Sequence, residues 1–152
     1  MVEIRFKAIH GKATLPKQST PSSAGFDLYT TEAFSLRATE CRTIGSGLKI
    51  ESWKGGGCLL VKERSSLARH HSIMCLGGVI DSDFRGEICV ILYNAGSGDV
   101  EFGVRERIAQ MIPIATCPLR LSFLGDKDDD NGRQEKSVTL RGEGGFGSTG
   151  RF

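Results

Sequence analysis

Apolar positions along this chain alternate with polar ones. Val2-Glu3-Ile4-Arg5-Phe6-Lys7 changes character at every step, which places Val2, Ile4 and Phe6 on one face of a half-buried strand. Short apolar runs of the same kind recur at Thr43–Ile50, Gly57–Val61, Ile88–Tyr93, Val100–Val104 and Ile108–Ile114. Turn-forming clusters separate them: Pro21-Ser22-Ser23, Gly55-Gly56-Gly57 and Asn94-Ala95-Gly96-Ser97-Gly98. Many short strands at near-regular spacing predict an all-β sandwich or barrel. One helix of a turn or two is expected around Ser66–His71. From Gly77 to Val90 two apolar runs flank a polar turn with glycines on both sides, the signature of a β-hairpin.

The pattern changes after Phe123. Gly125 to Lys136 contains no apolar residue and reads as a solvated linker. Within it, Asp128–Asp130 fit solvated carboxylates better than an acidic metal site. A core domain over 1–124 is therefore expected, followed by a linker and tail over 125–152. About fifteen linker residues span roughly 20 Å as a coil and at most about 50 Å, so the tail can reach a neighbouring subunit.

That tail is rich in chemistry. Half of Arg141–Gly150 is glycine, and Arg141, Phe146 and the pair Ser148-Thr149 accompany it. Glycine lets backbone N–H groups turn toward an anion, arginine offers a planar fork suited to phosphate, and a phenylalanine ring can stack on a nucleobase. The alternative is a disordered Gly-rich terminus. A Walker A loop is excluded, because Ser148 stands where its lysine belongs and no helix is expected after Thr149. If the tail binds phosphate, it does so as a flexible arm over a ligand held elsewhere.

Composition narrows the class. The 152 residues are 39% apolar and 25% charged, which suits one globular domain. A formal charge of +2 gives no argument for nucleic acid or membrane as a partner. Met1 to Lys12 does not resemble a signal peptide, and no segment is apolar enough to span a bilayer. Cys41, Cys58, Cys75, Cys89 and Cys117 are odd in number and lack Cys-x-x-Cys spacing. They read as reduced, mostly buried small hydrophobes of a soluble intracellular protein, in cytoplasm or nucleus. Zinc is not expected, since His70 and His71 are adjacent and His10 is remote in sequence.

Four further segments offer candidate groups. Asp81, between Ile80 and Ser82 at the expected hairpin tip, fits a general base toward water or a turn-forming aspartate. Arg85 and Glu87, two apart on a strand, read as a surface ion pair. Arg64-Ser65-Ser66 follows a strand and fits either phosphate binding or a serine cap on the helix. Asp27 follows a small-residue turn, and Gln110 is the one amide in a buried-looking strand.

Five segments, in order, resemble the five motifs of the trimeric deoxyuridine triphosphatase (dUTPase) family: Ala24–Tyr29, Arg64–Ala68, Gly78–Gly86, Arg107–Gln110 and Arg141–Gly150. The resemblance implies an all-β jelly-roll-like barrel of β-clip type with a flexible Gly-rich C-terminal arm. It implies a homotrimer whose active sites are each shared by three chains. The activity implied is hydrolysis of dUTP to dUMP and pyrophosphate by attack of water on the α-phosphorus, which keeps uracil out of DNA and supplies dUMP for thymidylate synthesis. Asp81 would orient and deprotonate the water. Uracil would enter the opened hairpin and be read by main-chain groups at Gly78, Val79, Ile80 and Cys89. Phe84 would lie under the deoxyribose. Arg64, Ser65, Ser66 and Gln110 would line the triphosphate. Mg²⁺ would be held mainly by phosphates and water, with Asp27 reached through water. Arg141 would hold the γ-phosphate, Phe146 would cover the uracil, and Gly147 and Ser148 would complete the arm.

The sequence departs from the family pattern at a few places. Phe84 stands where tyrosine is common, Ser66 where glycine is, Glu63 where proline is, and Arg105-Glu106 where Gly-Asp usually precedes the fourth motif. Two other readings remain. A dCTP deaminase of the same fold would release ammonia. A catalytically silent dUTPase-like binding protein would be expected to lack motif residues such as Asp27, Asp81, Arg141 and Phe146, all of which are present.

Overall fold

The computed structural model describes residues 2–117, 119 and 121. The expected linker and the arm residues Arg141, Phe146, Gly147 and Ser148 lie outside the described residues, as does the boundary expected at 124.

Ten strands and one short helix make up the described chain: β1 (Glu3–Ala8), β2 (Phe26–Tyr29), β3 (Phe34–Leu36), β4 (Cys41–Lys54), β5 (Cys58–Lys62), α1 (Ser65–His71), β6 (Ile73–Leu76), β7 (Val79–Asp81), β8 (Glu87–Asn94), β9 (Val100–Phe102) and β10 (Arg107–Ile114). They form two four-stranded sheets, β1-β4-β8-β6 and β2-β10-β5-β7, and a small β3-β9 ribbon. All pairings are antiparallel.

Alternation drives the packing. Along β8 every second residue is buried, and Ile88, Val90 and Leu92 meet Leu28, Leu59, Val61, Ile108 and Met111 from the other sheet in one apolar core. The result is the expected all-β, jelly-roll-like double sheet. Asn94 ends β8 fully buried and satisfies its amide locally: Nδ2 donates to the carbonyls of Leu36 and Gly98, and Oδ1 accepts from Gly96 N–H.

The chain changes sheet between β4 and β5, again from β5 through α1 to β6, and again at β6–β7 and β7–β8. This overturns the expected hairpin at Gly77–Val90. Its arms do not pair with each other: β7 pairs with β5, and β8 pairs with β4 and β6. Gly77 and Gly78, at φ +65° and +99°, turn the chain from one sheet to the other. Such angles are open to glycine and disfavoured for other residues. The cysteines also differ from expectation: Cys41 and Cys117 are exposed and the other three half-buried. No helix among the described residues is long and apolar enough to cross a membrane.

Candidate active site

The parted hairpin encloses a cavity of about 340 Å³, within the range of small-ligand pockets. Gly78, Val79, Ile80, Asp81 and Phe84 line one side of it; Glu87, Cys89, Val90 and Ile91 line another. Two strand edges bound it. Among the described strands, β7 is the last of its sheet. β6 ends at Leu76, opposite Ile91, so among the described residues β8 from Glu87 to Val90 is paired on its β4 side only. Strand edges present main-chain donors and acceptors, and here they face a cavity.

Gly78 sets how close the walls stand. Its carbonyl accepts the Val61 N–H at 2.7 Å, and a Cβ on it would lie 2.6 Å from the Val61 carbonyl oxygen. Asp81 closes β7 opposite Cys58. After it the chain turns, Phe84 N–H donating to the Asp81 carbonyl. Phe84 is 8% exposed, its ring part of the cavity wall. Arg85 and Glu87 do not form the expected ion pair. Arg85 donates to the carbonyls of Ser82 and Phe84, whereas Glu87 accepts from Gly47 N–H. Burial, and next the Glu87 carboxylate, push the Cys89 thiol above its ordinary range.

The other candidates gather round Asp27, outside the described lining of that cavity. Gln110 in β10 faces Asp27 on one side and Lys62 on the other. The carboxylate of Asp27 is 10% exposed. Its Oδ1 accepts from Arg64 Nε at 3.0 Å, and its Oδ2 accepts from Arg107 Nη1 at 3.2 Å and Ser19 Oγ at 2.9 Å. Gln110 Nε2 donates to the Glu63 carbonyl at 3.0 Å. Gly25 lacks a side chain where Cβ would strike Gln110 Oε1. Arg64 precedes α1 as its capping residue, with no side-chain cap. The serine-cap alternative therefore fails, and Ser65 and Ser66 stand exposed in the first turn. Ser66 needs no glycine, because its position is helical. Glu63, in place of proline, pairs with Lys62 at 3.2 Å. Burial raises its pKa, but its own backbone N–H, Lys62 and the Cys75 backbone together outweigh that and hold it below the ordinary value.

Ser19 had no part in the sequence reading, Glu87 was read there only as an ion-pair partner of Arg85, and Arg107 stood in the fourth motif without a role of its own. Arg107 belongs to a recognisable motif and was legible; Ser19 and Glu87 carry no local signal. Among the described residues no three His, Cys, Asp or Glu side chains converge on a possible metal position. The three donors on Asp27 leave about one of its four lone-pair sites, and two of them are cationic. This donor set fits a hard cation that arrives with its own phosphates and waters, not a free-standing metal site.

Comparison with known proteins agrees with this geometry. A dUTPase family model matches residues 11–150. The deoxyuridine 5'-triphosphate nucleotidohydrolase of Helicobacter hepaticus is 36% identical over 151 residues, covering 98% of this chain and 89% of its own length. That of Nautilia profundicola is 36% identical over 152 residues, covering 99% and 100%. Among solved structures, the Staphylococcus bacteriophage 80alpha dUTPase with dUpNHpp superposes with a TM-score of 0.74 at 20% identity, over 97% of this chain and 98% of that one. A dUTPase variant from phage phi11 of S. aureus, described with a structural Mg(II) ion, gives 0.73 at 15% identity over 83% and 99%. At these identities the two structures speak for the fold; the family model and the sequence relatives speak for the family. This chain belongs to the dUTPase family.

Proposed function

We propose that this enzyme hydrolyses dUTP to dUMP and pyrophosphate. One observation carries the reading: a small cavity with main-chain edges on two sides has a carboxylate, Asp81, at the end of one wall and a buried ring, Phe84, beside it. Uracil carries donors and acceptors on its edge and matches main-chain groups of Gly78, Val79, Ile80 and Cys89. A close-walled slot rejects the C5 methyl of thymine. Phe84 fills the space a 2′-hydroxyl would need. Asp81 takes a proton from water as the oxygen attacks the α-phosphorus, and pyrophosphate leaves. The reaction keeps uracil out of DNA and provides dUMP for thymidylate synthesis.

Arg64, Ser65, Ser66 and Gln110 bind the triphosphate. Mg²⁺, when bound with the substrate, would neutralise phosphate charge, with Asp27 meeting it through water. From the sequence of the arm, Arg141 holds the γ-phosphate, Phe146 covers the base, and Gly147 and Ser148 supply donors to phosphate oxygens. Within one chain the uracil cavity and the Asp27 cluster do not share a lining. That separation supports a homotrimer in which each site draws on several chains.

Pyrophosphate release from dUTP, dCTP, dTTP and UTP tests the reading. Turnover of dUTP alone is expected. Comparable hydrolysis of UTP would remove Phe84 from its role, and ammonia release from dCTP would favour a deaminase. Equilibrium sedimentation should give a trimer, and an active monomer would end the shared-site proposal.

A further inference from the structure

Glu87 lines the cavity at the start of β8 yet has no part in the chemistry above. Its Oε1 accepts the Gly47 N–H at 2.7 Å. Gly47 lies in an irregular stretch of β4. There Gly45 pairs with Cys89 and Lys49 with Glu87, so three residues of β4 face one of β8. Such bulges redirect a strand and its neighbours.

The surroundings are built to hold this arrangement. Gly47 has φ +70°, and a Cβ on it would lie 2.8 Å from both His10 Cβ and Thr31 Cγ2. Its carbonyl accepts the Ile9 N–H at 2.8 Å, which ties in the end of β1. Ser46 is 1% exposed, and its hydroxyl accepts the Leu48 N–H at 3.3 Å. A Cβ on Gly45 would lie 2.5 Å from Glu87 Oε1, so the carboxylate occupies the space that this glycine leaves. Glu87 is thus a side chain of the cavity lining that reaches from β8 to β4 and fastens the bulge.

We propose that Glu87 is a positioning residue for base recognition. By holding the β4 bulge it sets where the β8 main chain from Glu87 to Val90 stands in the cavity. The inference rests on the reading that this cavity receives uracil. The groups that would read the base are main-chain atoms, and they have no side-chain freedom with which to correct a misplaced strand. A bulge that lost its charged acceptor would let β8 shift by tenths of an ångström, and recognition would suffer before chemistry did.

The test compares steady-state kinetics with dUMP binding in three single variants and one double variant. Glu87→Ala should raise the KM for dUTP and the Kd for dUMP together, each about tenfold, with kcat changed less than about threefold. Glu87→Gln keeps an acceptor oxygen and should recover most of the loss. Gly45→Ala keeps the carboxylate charged but displaces it, and should reproduce the Glu87→Ala split. In the double variant the two effects should not add, because they break one contact. Unchanged KM and Kd in Glu87→Ala, or a fall confined to kcat, would overturn the assignment. Loss of fold in both single alanine variants would overturn it as well, since the contact would then be a folding element. Failure of the wild type to turn over dUTP would strike the functional reading instead and is seen in a separate assay.

Discussion

The cavity and the Asp27 cluster lie on neighbouring strands of one chain, yet they are built by opposite means. The cavity depends on main chain and on missing side chains: Gly77, Gly78, and the strand edges that the described residues leave where β6 stops and β7 borders its sheet. The cluster depends on charge, with one buried carboxylate holding two guanidiniums and a hydroxyl. Position in the first is set by strand register, and in the second by electrostatics. The first should therefore tolerate a change of side chain better than a change of backbone, and the second the reverse.

The largest effect expected is on Asp81, where the cavity meets the chemistry. Asp81→Asn should lower kcat by about 10²–10⁴-fold while leaving Mg·dUTP binding nearly intact. Asp83→Asn should do far less, and equal losses in the two would move the base elsewhere. Gly78→Ala tests the backbone side of the contrast. With φ +99° and Val61 in the way, it should cost about 1–3 kcal/mol of stability and weaken dUMP binding in calorimetry. Unaltered dUMP affinity would mean that the β5–β7 contact does not shape the cavity.

Asp27→Asn tests the charged side. It leaves Arg64 and Arg107 with a neutral partner. Because Arg107 is 46% exposed, the loss is discounted to about 2 kcal/mol, read by chemical denaturation. Arg105 lies at φ +61° where the family commonly has glycine, so Arg105→Gly should stabilise the fold by about 1 kcal/mol. A lower melting temperature would show that the Arg105 side chain contributes more than its backbone strain costs.

The smallest effect concerns acid. The Glu63 carboxyl titrates below its ordinary 4.5 in the folded chain. Its stabilisation is therefore present above about pH 4.5 and is lost as pH falls through the lower folded value. Glu63→Gln should flatten the acid end of the melting curve slightly. An identical pH dependence in both proteins would assign that slope to other carboxylates.

Strands with clear alternation were legible in the sequence: β1, β4, β5, β8 and β10 all stand where the pattern put them, though β4 is longer than expected, at 14 residues. β3 has three residues, too short for a period to show. β6 reads Ile-Met-Cys-Leu without a polar partner to mark a face. The turn at Gly77–Gly78 was visible as a turn, but nothing local says that the arms on either side belong to different sheets. The cysteines were misplaced for a similar reason. Cys89 lies among apolar residues in sequence, but it is on the outward face of β8, opposite Ile88 and Val90.

The sequence by itself determined the β character of the chain, because a period of two is a property of neighbours. It also determined the family, because five motifs kept their order and most of their residues, with Ser66 and Phe84 as departures. It could not determine that β7 and β8 part, that Glu87 reaches Gly47 instead of Arg85, or that Asp27 is already engaged by two arginines. Those facts depend on which strands lie side by side, with Gly47 and Glu87 separated by 40 residues and Asp27 and Arg107 by 80. Only the pairing of β4 with β8 in one sheet, and of β2 with β10 in the other, brings them within hydrogen-bonding distance.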